Sequence, residues 1–256
     1  MIDNNEILAA LGTKILGKKL FVFDSITSTN EYGKTLLSDA DSEGYLIIAN
    51  HQTAGYGRFK RSWFSEPDKN LLFSFILKPE ILAVDKIHLL TFFIANKAAD
   101  VIEHSFGIKI GIKWPNDLLV NNKKICGIIL ESVIHEKNIS VVCGIGINVN
   151  QTSFLEHNSD ITSLKTELNT EIDRFELLRK ILRKLDSYYI SFLEKPESEI
   201  ELFKNRDILI GKEITAIVSN KHYKGKAVDI DKCGHLILYT DGTEMKLNSG
   251  DVTLKL

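Results

Sequence analysis

Apolar residues along this chain recur in two periods, and the change from one to the other divides it into elements. Phe21-Val22-Phe23, Leu46-Ile47-Ile48-Ala49 and Leu71 to Leu77 are short, nearly unbroken apolar runs that predict buried strands. Between the first two lie a polar turn at Ser25-Ile26-Thr27 and a capping box, Ser28 to Glu31, which opens a helix through Leu36 and Leu37. Leu89, Leu90, Phe93, Ile94, Val101 and Ile102 recur at helical spacing, with Gly107 as the stop. Ile110 to Trp114 returns to strand character and is broken by Pro115. Leu118-Leu119-Val120 and Ile125 to Leu130 flank Asn121-Asn122-Lys123-Lys124, which predicts a hairpin, and Val141 to Val149 is a further buried strand. Leu177, Leu178, Ile181, Leu182, Leu185, Tyr188, Tyr189 and Phe192 mark a long amphipathic helix, with Asp173 and Glu176 suited to its first turn and the tyrosine pair read as core.

The texture changes near Asp207. From Gly211 onward only short strand-like runs remain: Ile214 to Val218, Lys224 to Ile230, Leu236 to Thr240, Glu244 to Leu247 and Val252 to Leu254. Cys233-Gly234 and Asp241-Gly242 separate three of them as tight turns. The pattern predicts an α+β fold in two parts. Residues 1–207 form a mixed β-sheet domain with flanking helices, and residues 208–256 form a small SH3-like β-barrel.

Composition narrows the function. Lys and Arg number 32 against 34 Asp and Glu, a formal net charge of -2, which argues against a general nucleic-acid or membrane-surface protein. The first residues lack the basic flank and apolar run of a signal peptide, and no stretch approaches the ~20 apolar residues of a spanning helix. Cys126, Cys143 and Cys233 form no C-x-x-C pair, so neither a zinc site nor a disulfide framework is expected and the chain reads as cytoplasmic. The seven histidines show no metal-ligand spacing; His88 and His104 read as surface or capping groups of the predicted helix.

Four segments place polar groups where strands end. In Gln52-Thr53-Ala54-Gly55-Tyr56-Gly57-Arg58-Phe59-Lys60-Arg61-Ser62-Trp63, two glycines allow close backbone approach and the cations suit phosphate or carboxylate; an exposed basic loop is the ordinary alternative. Lys113-Trp114-Pro115-Asn116-Asp117, with Lys123-Lys124-Ile125-Cys126-Gly127 and Glu131, offers cations for phosphate and oxygen ligands for Mg²⁺, or else a polar turn beside a core tryptophan. Gly144-Ile145-Gly146-Ile147-Asn148 breaks a strand with glycines, as a bulge or a ligand-facing stretch. Ser28-Thr29-Asn30 opens a helix, where hydroxyls and N–H groups hold a polar ligand or simply cap.

Taken in series, these segments resemble the biotin–protein ligases over roughly residues 20 to 150, and more loosely to the C-terminus. The resemblance implies a class II aminoacyl-tRNA-synthetase-like catalytic domain that activates biotin with ATP and transfers it to a lysine of a biotin carboxyl carrier domain, of acetyl-CoA carboxylase or pyruvate carboxylase. It implies that Ser28, Thr29 and Gln52 face the ureido ring, with Asn30 beside them, and that Gly55, Tyr56, Gly57 and Arg58 close over biotin and its adenylate. Lys124 is implied to contact the biotin carboxylate and the reacting phosphate, with Lys113 and Arg58 also catalytic. Trp63, Gly127, Gly144 and Gly146 fall in the ligand-binding set, Asp117 and Asn148 match the Mg²⁺-associated positions, and Lys255 points a basic group towards the nucleotide. The chain departs from the family loop, Gly-Arg-Gly-Arg-Arg-Gly-Arg: Tyr56, Phe59 and Lys60 replace an Arg, an Arg and a Gly. About 27 residues precede Ser28, too few for a helix-turn-helix domain, so an enzyme without DNA binding or repressor function is expected, as a monomer or weak homodimer. The nearest rival is a ligase for lipoate or another acyl acid of the same superfamily, and a rival of another class is a non-catalytic biotin sensor or DNA-binding regulator.

Overall fold

The computed structural model describes residues 11–135, 138–154, 160–218, 221–248 and 251–254. These residues build two sheets. The larger has seven strands in the order β1-β2-β3-β7-β6-β5-β4: β1 (Lys19–Ile26), β2 (Tyr45–Gln52), β3 (Leu71–Leu77), β4 (Gly111–Lys113), β5 (Asp117–Val120), β6 (Lys123–His135) and β7 (Asn138–Ile147). β1 and β2 are parallel and the other neighbours antiparallel. The smaller sheet, β8 (Glu213–Val218), β9 (Lys221–Ile230), β10 (Leu236–Thr240), β11 (Thr243–Leu247) and β12 (Asp251–Leu254), is antiparallel in the order β11-β10-β9-β8-β12. A mixed sheet with helices, followed by a small β unit, is the α+β architecture read from the sequence. No helix among the described residues is long and apolar enough to cross a membrane.

Strand alternation sorts the larger sheet into two faces. Leu71, Phe73, Phe75 and Leu77 of β3 join the main core with α2 (Leu89–Phe106) and α4 (Arg174–Glu194). The intervening Ser74 and Ile76 point the other way, towards α1 (Thr29–Thr35), where Ile76 packs with Val142, Leu36 and Leu37. Gly107 ends α2 in the left-handed region, and Asp173 Oδ1 caps α4 by accepting from Phe175 N and Glu176 N. Asn121 and Asn122, both at positive φ, make the two-residue turn between β5 and β6.

Some elements differ from expectation. β1 continues through Ser25 and Ile26, where a turn was expected, because both pair in parallel with His51 and Gln52. α1 stops at Thr35, with Leu36 as its C-cap. Short helices α3 (Leu164–Leu168) and α5 (Ser198–Lys204) escape a periodicity reading, since one or two turns show too few repeats. Of the tyrosine pair only Tyr189 is core; Tyr188 is 46% exposed.

The linker to the small sheet runs beside β4, with Ile112 N donating to Arg206 O and Ile208 N to Ile112 O. Asp207 closes it, its Oδ1 accepting from Leu209 N and Ile210 N, while Oδ2 is buried without a partner. Burial pushes its carboxyl up to about 6, against the opposing pull of the backbone N–H groups. A raised folded value means the folded chain keeps a proton that the unfolded chain has released. Stability therefore falls as pH rises from about 4 to about 6, by roughly 2–3 kcal/mol, and stays lower above. Asp207→Asn keeps the oxygen that accepts both N–H bonds. Its Tm is expected to decline less than wild type between pH 4 and 7, and parallel Tm–pH curves would remove Asp207 as the titrating group.

Candidate active site

The face carrying α1 presents three aligned rows of residues: Ser74 and its neighbours on β3, Val142-Gly144-Gly146 on β7 and Gly127-Ile129-Glu131 on β6, with Gly127 paired to Gly146 and Ile129 to Gly144. Side chains are withheld where other groups must lie flat. A Cβ on Gly144 would stand 2.1 Å from Asn30 Oδ1, and one on Gly33 of α1 would stand 2.9 Å from Val142. Cβ atoms on Gly146 and Gly127 would stand 2.7 and 2.9 Å from the Trp63 ring. The glycines placed by sequence against a ligand are thus covered by the chain's own Asn30 and Trp63. Gly144 and Gly146, which they cover, are two residues apart on β7, about 7 Å along one face.

Around Asn30 runs a continuous polar chain. Ser28, buried, caps α1 and accepts from Glu31 N. Gln52 Oε1, at the end of β2, accepts from Thr29 N at 2.7 Å and Thr29 Oγ1 at 3.0 Å. Ser74 Oγ lies 2.7 Å from Thr29 Oγ1 and 2.6 Å from Asn30 Oδ1, and Asn30 Nδ2 donates to Glu131 Oε2 at 2.9 Å. Ser74 stands outside the sequence-derived set, and Glu131, singled out there beside the Lys113–Gly127 segment, is bonded instead to Asn30, Tyr56 and Lys34. Ser74 had a signal: one fully buried serine in the middle of an otherwise apolar strand.

The chain continues into the glycine loop. Tyr56 sets its hydroxyl 2.5 Å from Glu31 Oε1 and 2.8 Å from Glu131 Oε2, and Lys34 Nζ reaches Glu31 at 2.7 Å and Glu131 at 3.2 Å. Lys60 Nζ lies over the Tyr56 ring, 3.8 Å from its centroid, and 3.5 Å from Glu31. Two acids and two ammonium groups balance around a neutral phenol. Bonds from Lys34 and Tyr56 hold Glu31 down at about 2. Burial pushes Glu131 up, but Asn30, Tyr56 and Lys34 together hold it below the usual range. Burial and then the two carboxylates push the phenol up, so Tyr56 stays a proton donor. Glu31 is spent here rather than reaching back in the capping box. Lys60 adopts a φ of 56°, a conformation that favours the glycine of the family pattern, and Phe59 does the same. The departures at 56 and 60 are therefore one coupled feature, in which the strained lysine sits on the tyrosine that replaced arginine. Gly55 is enclosed by Gln52 and the Trp63 carbonyl, whereas the nearest atom to a Cβ on Gly57 would be Arg61 O at 4.0 Å.

Trp63 marks the second half of the site. Lys124 Nζ lies 5.4 Å from the centroid of its ring and 2.7 Å from Asp117 Oδ1. The Lys124 backbone is pinned, its N donating to Asp160 O and its O accepting from Thr162 N. Asp117 opens β5 opposite Gly127, and Lys113 ends β4 opposite Asp117. Arg58 Nη1 donates to Asn116 Oδ1 at 3.3 Å and so ties the glycine loop to the Lys113–Asp117 turn, while Trp114 of that turn is core. Asn148 is buried: its N donates to Ile125 O and its Nδ2 to Thr162 O. Lys255 lies outside the described residues.

The arrangement is one sheet face with hydrogen-bonding groups at one end and an aromatic ring, a lysine and a carboxylate at the other. The chain as a whole is similar to known proteins. Residues 22–148 match the model of the biotin/lipoate A/B protein ligase family, and residues 209–255 that of the biotin protein ligase C-terminal domain. The bifunctional ligase/repressor BirA of Bacillus spizizenii is 36% identical over 99% of this chain and 79% of its own length. The biotin–[acetyl-CoA-carboxylase] ligase of Mycobacterium tuberculosis is 28% identical over 90% of this chain and 87% of its own. The fold resembles that of the biotin protein ligase from Aquifex aeolicus in complex with biotin and ATP, with a TM-score of 0.79, 28% identity and 93% and 99% of the two chains covered. The two matched modules, in this order on one chain, show that it belongs to the biotin protein ligase family.

Proposed function

We propose that this chain joins biotin to ATP as biotinyl-5'-AMP, releasing pyrophosphate, and transfers the biotinyl group to a lysine of a biotin carboxyl carrier domain, in the cytoplasm. The observation that carries the reading is Lys124, fixed between the Asp117 carboxylate and the Trp63 ring on the face that also bears the Thr29–Gln52–Asn30 chain. The polar chain suits a ureido group, which both donates and accepts, and Trp63 suits a nucleotide base. No enzyme nucleophile is needed. The biotin carboxylate attacks the α-phosphate, pyrophosphate leaves, and the acceptor amine then displaces AMP from the mixed anhydride. Lys124 and Arg58 bind and orient the anionic groups and offset their charge.

Asp117 brings a single carboxylate, and among the described residues no further acid, thiol or imidazole completes a three-ligand cage around it. Such a donor set suits a Mg²⁺ that arrives with nucleotide phosphates, with Asp117 and Asn148 as the residues that would hold it; the ion would supply charge neutralisation at the phosphates.

Biotin-dependent ATP–pyrophosphate exchange tests the reading. Exchange with biotin and not with lipoate is expected; exchange with lipoate alone would overturn it. Tyr56→Phe removes the hydroxyl between Glu31 and Glu131 and should loosen the loop over bound substrate. A rise in biotin KM of about tenfold, with kcat changed less, is the expected cost of one charge-assisted hydrogen bond. An unchanged KM would take Tyr56 out of loop closure.

A further inference from the structure

The turn between β9 and β10, Asp231-Lys232-Cys233-Gly234-His235, is used by no step above. Asp231 Oδ1 accepts from Cys233 N at 2.9 Å and His235 N at 3.0 Å, while Asp231 N donates to His235 O and Gly234 N to Asp231 O. These bonds curl the turn so that alternate side chains converge. Asp231 Oδ2 lies 3.2 Å from His235 Nδ1, and ligand atoms of Asp231, Cys233 and His235 all fall within 4.8 Å of one another. Among the described residues this is the one group of three such side chains so placed. A search of the sequence for paired cysteines or helical histidine spacing passes over it, because the D-x-C-x-H pattern becomes a cluster only when the turn closes.

The turn is also held against the larger domain. Gly234 O accepts from Trp114 Nε1 at 3.1 Å, and a Cβ on Gly234, which has a φ of +82°, would stand 3.0 Å from His88 Nε2 and from Leu89 Cδ2. His88, at the start of α2, touches Cys233 O, and its ring lies parallel to His235 with centroids 6.0 Å apart. A second imidazole therefore borders the cluster from a different element.

We propose that Asp231, Cys233 and His235 form a binding site for a borderline divalent cation of the Zn²⁺ type, with the fourth position left to water or to His88. The chemistry of the donors selects the class: thiolate, imidazole and monodentate carboxylate are the ligands Zn²⁺ takes tetrahedrally, whereas Mg²⁺ or Ca²⁺ would not take a thiolate. Tetrahedral bonds of about 2.0–2.3 Å put ligand atoms nearer together than 4.8 Å, so the side chains close on the ion by rotation. Two adjustments accompany binding. The Cys233 thiol loses its proton to solvent, and Lys246 Nζ, 3.1 Å from Asp231 Oδ2 on a side chain 69% exposed, swings away as one cation replaces another. Because the turn carries the bond to Trp114, an ion there braces the contact between the two sheets.

Co²⁺ titration of untagged, reduced protein tests the site. One equivalent giving tetrahedral d–d bands and a sulfur-to-cobalt charge-transfer band, displaced by Zn²⁺, is the expected result. Cys126 and Cys143 are buried, so the thiolate band reports Cys233. Cys233→Ala should abolish that band, and His235→Ala should weaken binding at least about tenfold. Asp231→Asn keeps the oxygen that closes the turn and should weaken binding without unfolding, as circular dichroism would register. A wild-type spectrum with no charge-transfer band, or a Cys233→Ala protein that binds Co²⁺ as tightly, would overturn the assignment. Neither readout depends on ligase activity.

Discussion

Lys124→Ala is expected to lower biotin-dependent ATP–pyrophosphate exchange by about 10²–10³-fold while the protein stays folded. The expectation follows from where the ammonium stands. Its side chain is 28% exposed, so its loss leaves no buried void, and its backbone bonds to Asp160 and Thr162 do not involve the side chain. What disappears is a cation held in advance by Asp117 and the Trp63 face, which in the proposed reaction offsets charge on two anions brought together. Lys124→Arg separates charge from shape: it restores a cation but not the compact ammonium that fits between ring and carboxylate. Partial recovery is expected there. Full exchange activity in Lys124→Ala would remove the residue from the mechanism.

The second large effect is expected at Gly144. An alanine Cβ at 2.1 Å from Asn30 Oδ1 cannot be absorbed locally, because Asn30 is buried and held by Ser74 on one side and Glu131 on the other. Either α1 shifts off the sheet or Asn30 leaves its place and strands the partners. Overpacking of about 1–3 kcal/mol, and a further 1–3 for each buried polar group left unpaired, makes a loss of roughly 3–5 kcal/mol. Denaturant unfolding of Gly144→Ala measures it. A double variant, Gly144→Ala with Asn30→Ala, should recover part of the stability, since the clash is removed, yet not biotin binding. If the single variant unfolds at the wild-type midpoint, the close approach of Asn30 is not a constraint.

Gly144 also shows how far the sequence could be read. Two glycines interrupting an apolar strand suggested a bulge or a ligand-facing stretch; β7 pairs in unbroken register through both, and what lies against them belongs to the chain itself. It is Asn30 at one and Trp63 at the other, both already assigned to the site for other reasons. Nothing in the linear order joins position 30 to 144 or 63 to 146, and those pairings arise only when β7 is set between β3 and β6. The same holds for Tyr56 and Lys60. As substitutions in a recognised loop they looked like losses of an arginine and a glycine. In the fold they meet Glu31, Lys34 and Glu131 from α1 and β6 and form one balanced cluster.

Sequence alone determined the elements with enough repeats to leave a signal: the apolar strands β2, β3 and β7, the helices α2 and α4, the five short strands of the second unit, and the motifs that named the family. These are local properties, set by periodicity, capping and turn chemistry within a few residues. Tertiary structure alone decided which polar groups face one another. It recruited Ser74 to the site, turned Glu131 towards Asn30 and Tyr56, tied Arg58 to Asn116, buried Asn148, left Tyr188 outside, and closed Asp231, Cys233 and His235 into one turn. The reason is physical: a hydrogen bond or ion pair depends on distances of about 3 Å between groups, and strand pairing brings such groups together from any separation along the chain.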